Sequence, residues 1–171
     1  MTGYVECPTE YDGQGPALFL AGGITGCPNW QSDVRRLLDG ANWTLLNPRR
    51  STDFDWAEED ASRQQIDWEF RHLRKADAIL FWFPAETICP IALYELGAWS
   101  MTTKPLYVGT HPDYPRRRDV EIQTALARPE IQIHDDLHKL VRATYDWNFS
   151  SPSRFGRDGE ERAEVGSGDL P

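Results

Sequence analysis

Residues 76–99 read ADAILFWFPAETICPIALYELGAW, and this stretch decides the fold. Within it, Ala78–Phe83 is an unbroken apolar run of strand length, the pattern of a parallel strand buried on both faces. Pro84 stops the run, and the short loop Ala85-Glu86-Thr87 follows. Pro90 then stands where a helix would open. One residue of that helix is out of character. Glu95 has Ile91, Ala92, Ala98 and Trp99 as its neighbours three and four positions away, so no local Lys or Arg can pair with it. A carboxylate on an apolar helix is costly unless it has a partner or a task.

The pattern repeats on both sides of this unit. Upstream, Leu18–Ala21 reads as a short buried strand, then Gly22-Gly23-Ile24-Thr25-Gly26, then a helix from about Asn29 to Asp39. Glycines at a strand end let a ligand approach the backbone, and the next helix start offers free N–H groups to an anion. A tight turn without a ligand is an equal reading, because GGITG is not the full dinucleotide fingerprint. Trp43–Leu46 is a second strand ending in Asn47-Pro48-Arg49-Arg50. Ser51–Glu59, acidic with Phe54 and Trp56, is either a flap or a solvated loop. A helix from about Trp56 to Lys75 carries Ile66, Phe70 and Leu73 on one face with Glu69 beside them. Asp77 reads as a turn or cap residue.

Downstream, Pro105–Gly109 is a fourth strand, with Asp119 as N-cap of a helix over Val120–Ala127. Ile131–Ile133 is a fifth strand, and Asp135–Tyr145 a closing helix. Met1–Pro16 reads as a flexible leader, residues 17–149 as one α/β domain, and residues 150–171 as a disordered acidic tail. Alternation of strand and helix predicts a flavodoxin-like or Rossmann-like five-stranded parallel sheet, order 2-1-3-4-5, with helices on both faces. The ligand crevice of such a sheet opens where the strand order reverses, here between strands one and three. The glycine turn and the Glu95 helix would face each other there.

Composition narrows the partners. A net charge of −9 over 171 residues argues against a nucleic-acid polymer or an anionic membrane as partner. No apolar run reaches transmembrane length. Cys7, Cys27 and Cys89 lack metal-type spacing and suit a reduced cytoplasmic protein. His72, His111, His134 and His138 form no ligand set, so neither metal nor cofactor is expected.

Three motifs in this order carry a family resemblance: FLAGGIT at Phe19–Thr25, the pattern Glu69-x-x-x-Leu73-x-x-Ala76-Asp77, and Tyr94-Glu95-Leu96-Gly97. Across about Leu18–Val141 the chain resembles the nucleoside 2-deoxyribosyltransferase superfamily. Its NPRR and FWFPAET segments are most similar to the deoxyribosyltransferase-like branch. The resemblance implies that Glu95 is the nucleophile toward the anomeric carbon of a deoxyribose, and that Glu69 stands where the family usually has aspartate. A further base-holding carboxylate of the family is replaced by Cys89, with Glu86 the nearest acid. The resemblance places Gly22, Gly23 and Ile24 along the sugar or phosphate, and Asn47, Arg49, Phe83, Pro84, Glu86 and Tyr94 complete the expected substrate-binding set.

The chemistry suits these residue types. Breaking an N-glycosidic bond creates oxocarbenium character that a carboxylate stabilises, while a second acid protonates the departing base. Glu95 is expected to be ionised and Glu69 or Glu86 to hold a raised pKa. Arg49 and Arg50 either face the crevice, which would suit a nucleoside 5′-monophosphate and its hydrolysis, or balance Asp53, Asp55, Glu58 and Glu59. The expected partners are a nucleoside or nucleotide and a free nucleobase. A binding or sensing module without turnover is the non-enzymatic alternative. The resemblance also implies a homo-oligomer in which Tyr145–Phe149 would close a neighbour's pocket.

Overall fold

The structure, a computed structural model, describes residues 2–51 and 59–145. Its sheet has six parallel strands: β1 (Gly3–Glu6), β2 (Ala17–Gly22), β3 (Thr44–Asn47), β4 (Ala78–Phe83), β5 (Leu106–Thr110) and β6 (Ile133–His134). Their order is β1-β3-β2-β4-β5-β6. The five expected strands are present in the expected order, and the correction is a sixth. Gly3–Glu6, read as part of a flexible leader, pairs with Thr44–Asn47 along the sheet edge. All four β1 residues are only half-buried. An edge strand covered on one side needs no apolar run, which is why sequence pattern did not reveal it.

Five helices cover the sheet: α1 (Trp30–Leu37), α2 (Glu59–Lys75), α3 (Pro90–Ser100), α4 (Arg117–Ala127) and α5 (Leu137–Tyr145). On one face Trp30, Val34 and Leu38 pack with Leu140 and Val141 over Leu18, Leu20, Leu80 and Trp82. On the other, Trp68 and Leu73 of α2, Leu96 of α3 and Val120 of α4 cover Phe19, Phe81 and Phe83. Helices on both faces leave β4 with every residue buried. Asp119 is not the N-cap of α4. The helix starts three residues earlier, at Arg117 with Arg116 as its N-cap, and Asp119 in the first turn pairs with Arg116 at 3.1 Å.

Two local devices fix β2 against β4. At the entry, Asp77 accepts from the Ala17 amide at 2.8 Å and returns its own N–H to the Ala17 carbonyl. At the exit, Gly22 has φ +151°, and a Cβ there would lie 2.1 Å from the Trp82 carbonyl oxygen and 2.8 Å from the Trp30 ring. Gly22 therefore permits the close approach of the two strands at the point where the sheet opens.

The segment after β1 docks beneath α2. Trp68 donates to the Thr9 carbonyl at 2.7 Å. His72 is fully buried, stacks on Trp68 at 3.9 Å, and accepts from the Tyr11 amide at 3.1 Å. Its other ring nitrogen faces the Trp68 carbonyl at 2.7 Å, which fixes the neutral tautomer with hydrogen on Nδ1. Residues 52–58 of the Ser51–Glu59 flap or loop, and residues 150–171 read as a tail, lie outside the described residues.

Gly22→Ala is expected to lower Tm by about 5–10 °C, about 2–3 kcal/mol, because the clash is with backbone. Gly40→Ala, at positive φ with open space around it, should cost only about 1 kcal/mol. Thermal melts of the two variants, showing equal losses, would refute the close-approach account.

Candidate active site

A pocket of about 290 Å³ opens at the carboxyl ends of β2 and β4, where the strand order reverses. Its floor is Phe19, Ala21, Gly22 and Gly23. Ile24, Thr25 and Pro48 form one wall, Thr87 and Cys89 to Ala92 another, and Glu69 and Glu95 supply its carboxylates. The expected meeting of glycine turn and Glu95 helix is realised in this arrangement.

Each wall has a local cause. Gly23 is held by its carbonyl, which accepts from Trp30 Nε1 at 2.8 Å, Gln31 Nε2 at 3.2 Å and Arg49 Nη2 at 3.4 Å. A Cβ on Gly23 would crowd Pro84, Thr87 and Cys27 at 2.8–3.0 Å, so the turn and the loop after β4 fit only around glycine. On the opposite wall Cys89 caps α3 with φ 51°, a left-handed conformation unusual for a residue with a side chain. Its buried thiol donates to the Thr87 carbonyl at 3.4 Å, and burial pushes its pKa up to about 12. Cys89 therefore presents a neutral sulfur, where the resemblance implied a carboxylate. Pro90 then starts the helix that carries Glu95 one turn further on.

Glu95 makes no hydrogen bond or ion pair among the described residues. Burial, with the Glu69 charge adding to it, pushes its pKa up to about 8. Glu69 is raised by burial, opposed by a hydrogen bond from Gln65 and the Arg50 charge. Two carboxyl groups in one desolvated space cannot both ionise cheaply, so Glu95 holds its proton at neutral pH and the charge of Glu69 reinforces that. This corrects the expectation that Glu95 is ionised in the free protein. The sequence showed that Glu95 had no local cation, but not that its nearest charged neighbour in space would be another acid.

The other expected site residues are dispersed. Asn47 is buried and organises the loop after β3, donating to Tyr4 at 2.6 Å and accepting from the Arg49 amide at 3.0 Å. Arg49 directs Nη2 at the Ile24 carbonyl at 2.7 Å and also toward the carbonyls of Cys27 and Pro28. Arg50 donates to Gln65 at 2.8 Å and to Gln64 at 2.9 Å. Phe83 is fully buried beneath Tyr114, ring to ring at 5.2 Å, and does not line the pocket. Pro84 is buried behind Gly23, Glu86 is exposed, and Tyr94 is 78% exposed on the outer side of α3. None of these seven lines the pocket. Thr87, Pro48 and Gln65 are the residues that motif reasoning passed over. Gln65 stands four residues before Glu69, the helical spacing that could have found it.

Residues 15–114, more than half of the chain, match the model of the family described as nucleoside 2-deoxyribosyltransferase like, and the protein belongs to that family. The matched span contains the glycine turn, Glu69 and Glu95. No curated protein matches the chain.

The raised Glu95 pKa makes a stability statement. Between about pH 4.5 and 8 the folded chain binds a proton that the unfolded chain has released, so stability falls as pH rises through that window. Glu95→Gln should therefore leave stability near unchanged at pH 4 and raise it by about 1–2 kcal/mol at pH 8. Urea titrations at the two pH values check this; an equal effect at both would contradict a buried, proton-holding Glu95.

Proposed function

We propose that this member of the nucleoside 2-deoxyribosyltransferase-like family cleaves or exchanges the N-glycosidic bond of 2′-deoxynucleosides, with Glu95 as nucleophile and Glu69 as its acid partner. The observation that carries the reading is the pairing of these two carboxyl groups in one small, largely apolar pocket at the switch point of the sheet. A carboxylate pair of this kind is what displacement at an anomeric carbon requires.

The proton balance follows from the free site. The pair enters the reaction with one proton. As a Glu95 oxygen bonds to C1′, the C1′–N bond breaks and its electrons pass to the base. The pair's proton passes to the base as well, by way of Glu69. A glycosyl ester on Glu95, an ionised Glu69 and a neutral base remain. Attack of a second base on the ester reverses these steps and gives exchange; attack by water gives free sugar.

The arginines favour a nucleoside over a nucleotide. Arg49 is engaged with the backbone of the glycine turn and Arg50 with two glutamines of α2, so both guanidinium groups already serve the protein. Hydrolysis of a nucleoside 5′-monophosphate is the second reading, and it requires one of them to be released.

Pocket size bears on assembly. About 290 Å³ is slightly below the range of roughly 300–1,000 Å³ usual for small-molecule sites. A nucleoside would project past the mouth, where Ile91 is exposed; Ile88 and Tyr94, and Ile66 and Phe70 of α2, are exposed apolar side chains as well. A second copy of the chain would cover this apolar face and deepen the pocket. Tyr145, the only described residue of the expected closing segment, donates to Leu37 of its own chain at 2.6 Å. The rest of that segment lies outside the described residues. Three free thiols suit the reducing cytoplasm.

Incubation with a deoxynucleoside and a different free base should give base exchange on chromatography. Glu95→Ala should lower the rate by about 10⁴-fold or more and Glu69→Gln by about 10²–10⁴-fold. Free sugar alone would make the protein a hydrolase, activity confined to 5′-phosphates would favour the second reading, and binding without product would leave a sensing module. In wild type, kcat/KM should fall about tenfold per pH unit above about pH 8, as the pair loses its proton. A rate still rising at pH 9 would rule out that proton as the one the base receives. Sedimentation should show an oligomer that Ile66→Asp with Tyr94→Asp reduces to monomer; an unaffected oligomer would place the interface elsewhere.

A further inference from the structure

Gln65 is buried on α2, one turn before Glu69, and all of its hydrogen-bonding capacity is used. Its Nε2 donates to the Pro48 carbonyl at 2.8 Å and to Glu69 Oε1 at 2.7 Å. Its Oε1 accepts from Arg50 Nε at 2.8 Å and from the Cys7 thiol at 3.0 Å. These partners determine the amide's orientation without ambiguity. A proline carbonyl can only accept and a guanidinium N–H can only donate, so flipping the amide would set acceptor against acceptor and donor against donor. The amide hydrogen aimed at Glu69 is therefore fixed by groups on two other segments: Cys7 just after β1, and Pro48 and Arg50 in the loop after β3.

We propose that Gln65 is a positioning residue which holds Glu69 Oε1 as a hydrogen-bond acceptor and leaves Oε2 as the one oxygen of Glu69 able to carry the reaction's proton. This rests on the reading of Glu69 as the acid partner. It goes further in assigning which oxygen works and what selects it. A syringe-like exchange of proton and base needs the acid in one rotamer; a carboxyl free to rotate would present either oxygen and divide its time between them. The hydrogen bond from Gln65 also favours the ionised form, so Glu69 gives up its proton and regains it on the same atom. The charged and titratable groups around Glu69 are Glu95 from α3, Arg50 after β3, and Cys7 at the end of β1 with Glu6 just behind it.

The test follows glutamate side-chain carboxyl resonances by ¹³C NMR from about pH 3 to pH 10 in the full-length chain, with Glu69 assigned through Glu69→Gln. In Gln65→Met the Glu69 midpoint should rise by about one pH unit or more, because a donor to the charged form is gone. Cys7→Ala removes a different partner of Gln65 and should leave that midpoint within about 0.3 units. The same Gln65→Met substitution should lower kcat about tenfold or more, leave KM within about twofold, and move the pH profile of kcat in the direction of the NMR midpoint. Should Gln65→Met not fold, Gln65→Asn keeps a polar side chain too short to reach Glu69 and is expected to show the same shift. An unmoved Glu69 midpoint, or a kcat loss with an unchanged pH profile, would overturn the proposal. If the unsubstituted chain turns over no nucleoside, the reaction reading fails by itself, and the NMR midpoint still decides whether Gln65 controls Glu69.

Discussion

Two carboxyl groups facing one apolar-walled pocket, both held above the usual carboxylate range by burial, form the constraint around which this molecule is arranged. Desolvation makes a second negative charge there expensive. Glu95 is brought in on a helix with almost no polar face. Glu69 is brought in on a helix whose inner side is anchored by Trp68 and His72. The parallel sheet supplies the geometry that lets both helices point their acids at the same strand ends.

The glycine turn contributes rigidity as much as access. Three donors converge on the Gly23 carbonyl, one from the indole of Trp30, one from the amide of Gln31 and one from Arg49. Because a trans peptide places C=O and N–H on opposite sides, pinning that carbonyl toward α1 turns the following amide, that of Ile24, away from α1. Arg49 thus acts on the turn through its backbone, while the basic character that made it look like a phosphate ligand is spent inside the protein.

Much of this was legible in the chain. The run Ala78–Phe83 could only be a strand buried on both faces, and Glu95 stood out because its helical neighbours offered no counter-charge. What sequence could not show was spatial adjacency. β1 escaped notice because an edge strand gains its stability from hydrogen bonds to β3, not from an apolar pattern of its own. Phe83 was placed at the pocket because it ends the central strand, yet Tyr114, thirty-one positions later, covers it. Glu69 was recognised, but Gln65, four positions before it, was passed over. An amide has no charge to advertise, and its importance comes from four partners scattered over the chain.

The docking of residues 7–11 beneath α2 has a consequence for the order in which the molecule assembles. The bonds Cys7–Gln65, Thr9–Trp68 and Tyr11–His72 join positions 58, 59 and 61 apart. Closing loops of that length carries an entropic penalty before any contact rewards it, so such contacts tend to be late events. A ribosome must finish α2 before the segment after β1 has anywhere to settle. Until that clasp shuts, Gln65 lacks one of its partners, and the environment of the acid pair is incomplete even where the sheet beneath it has already zipped together.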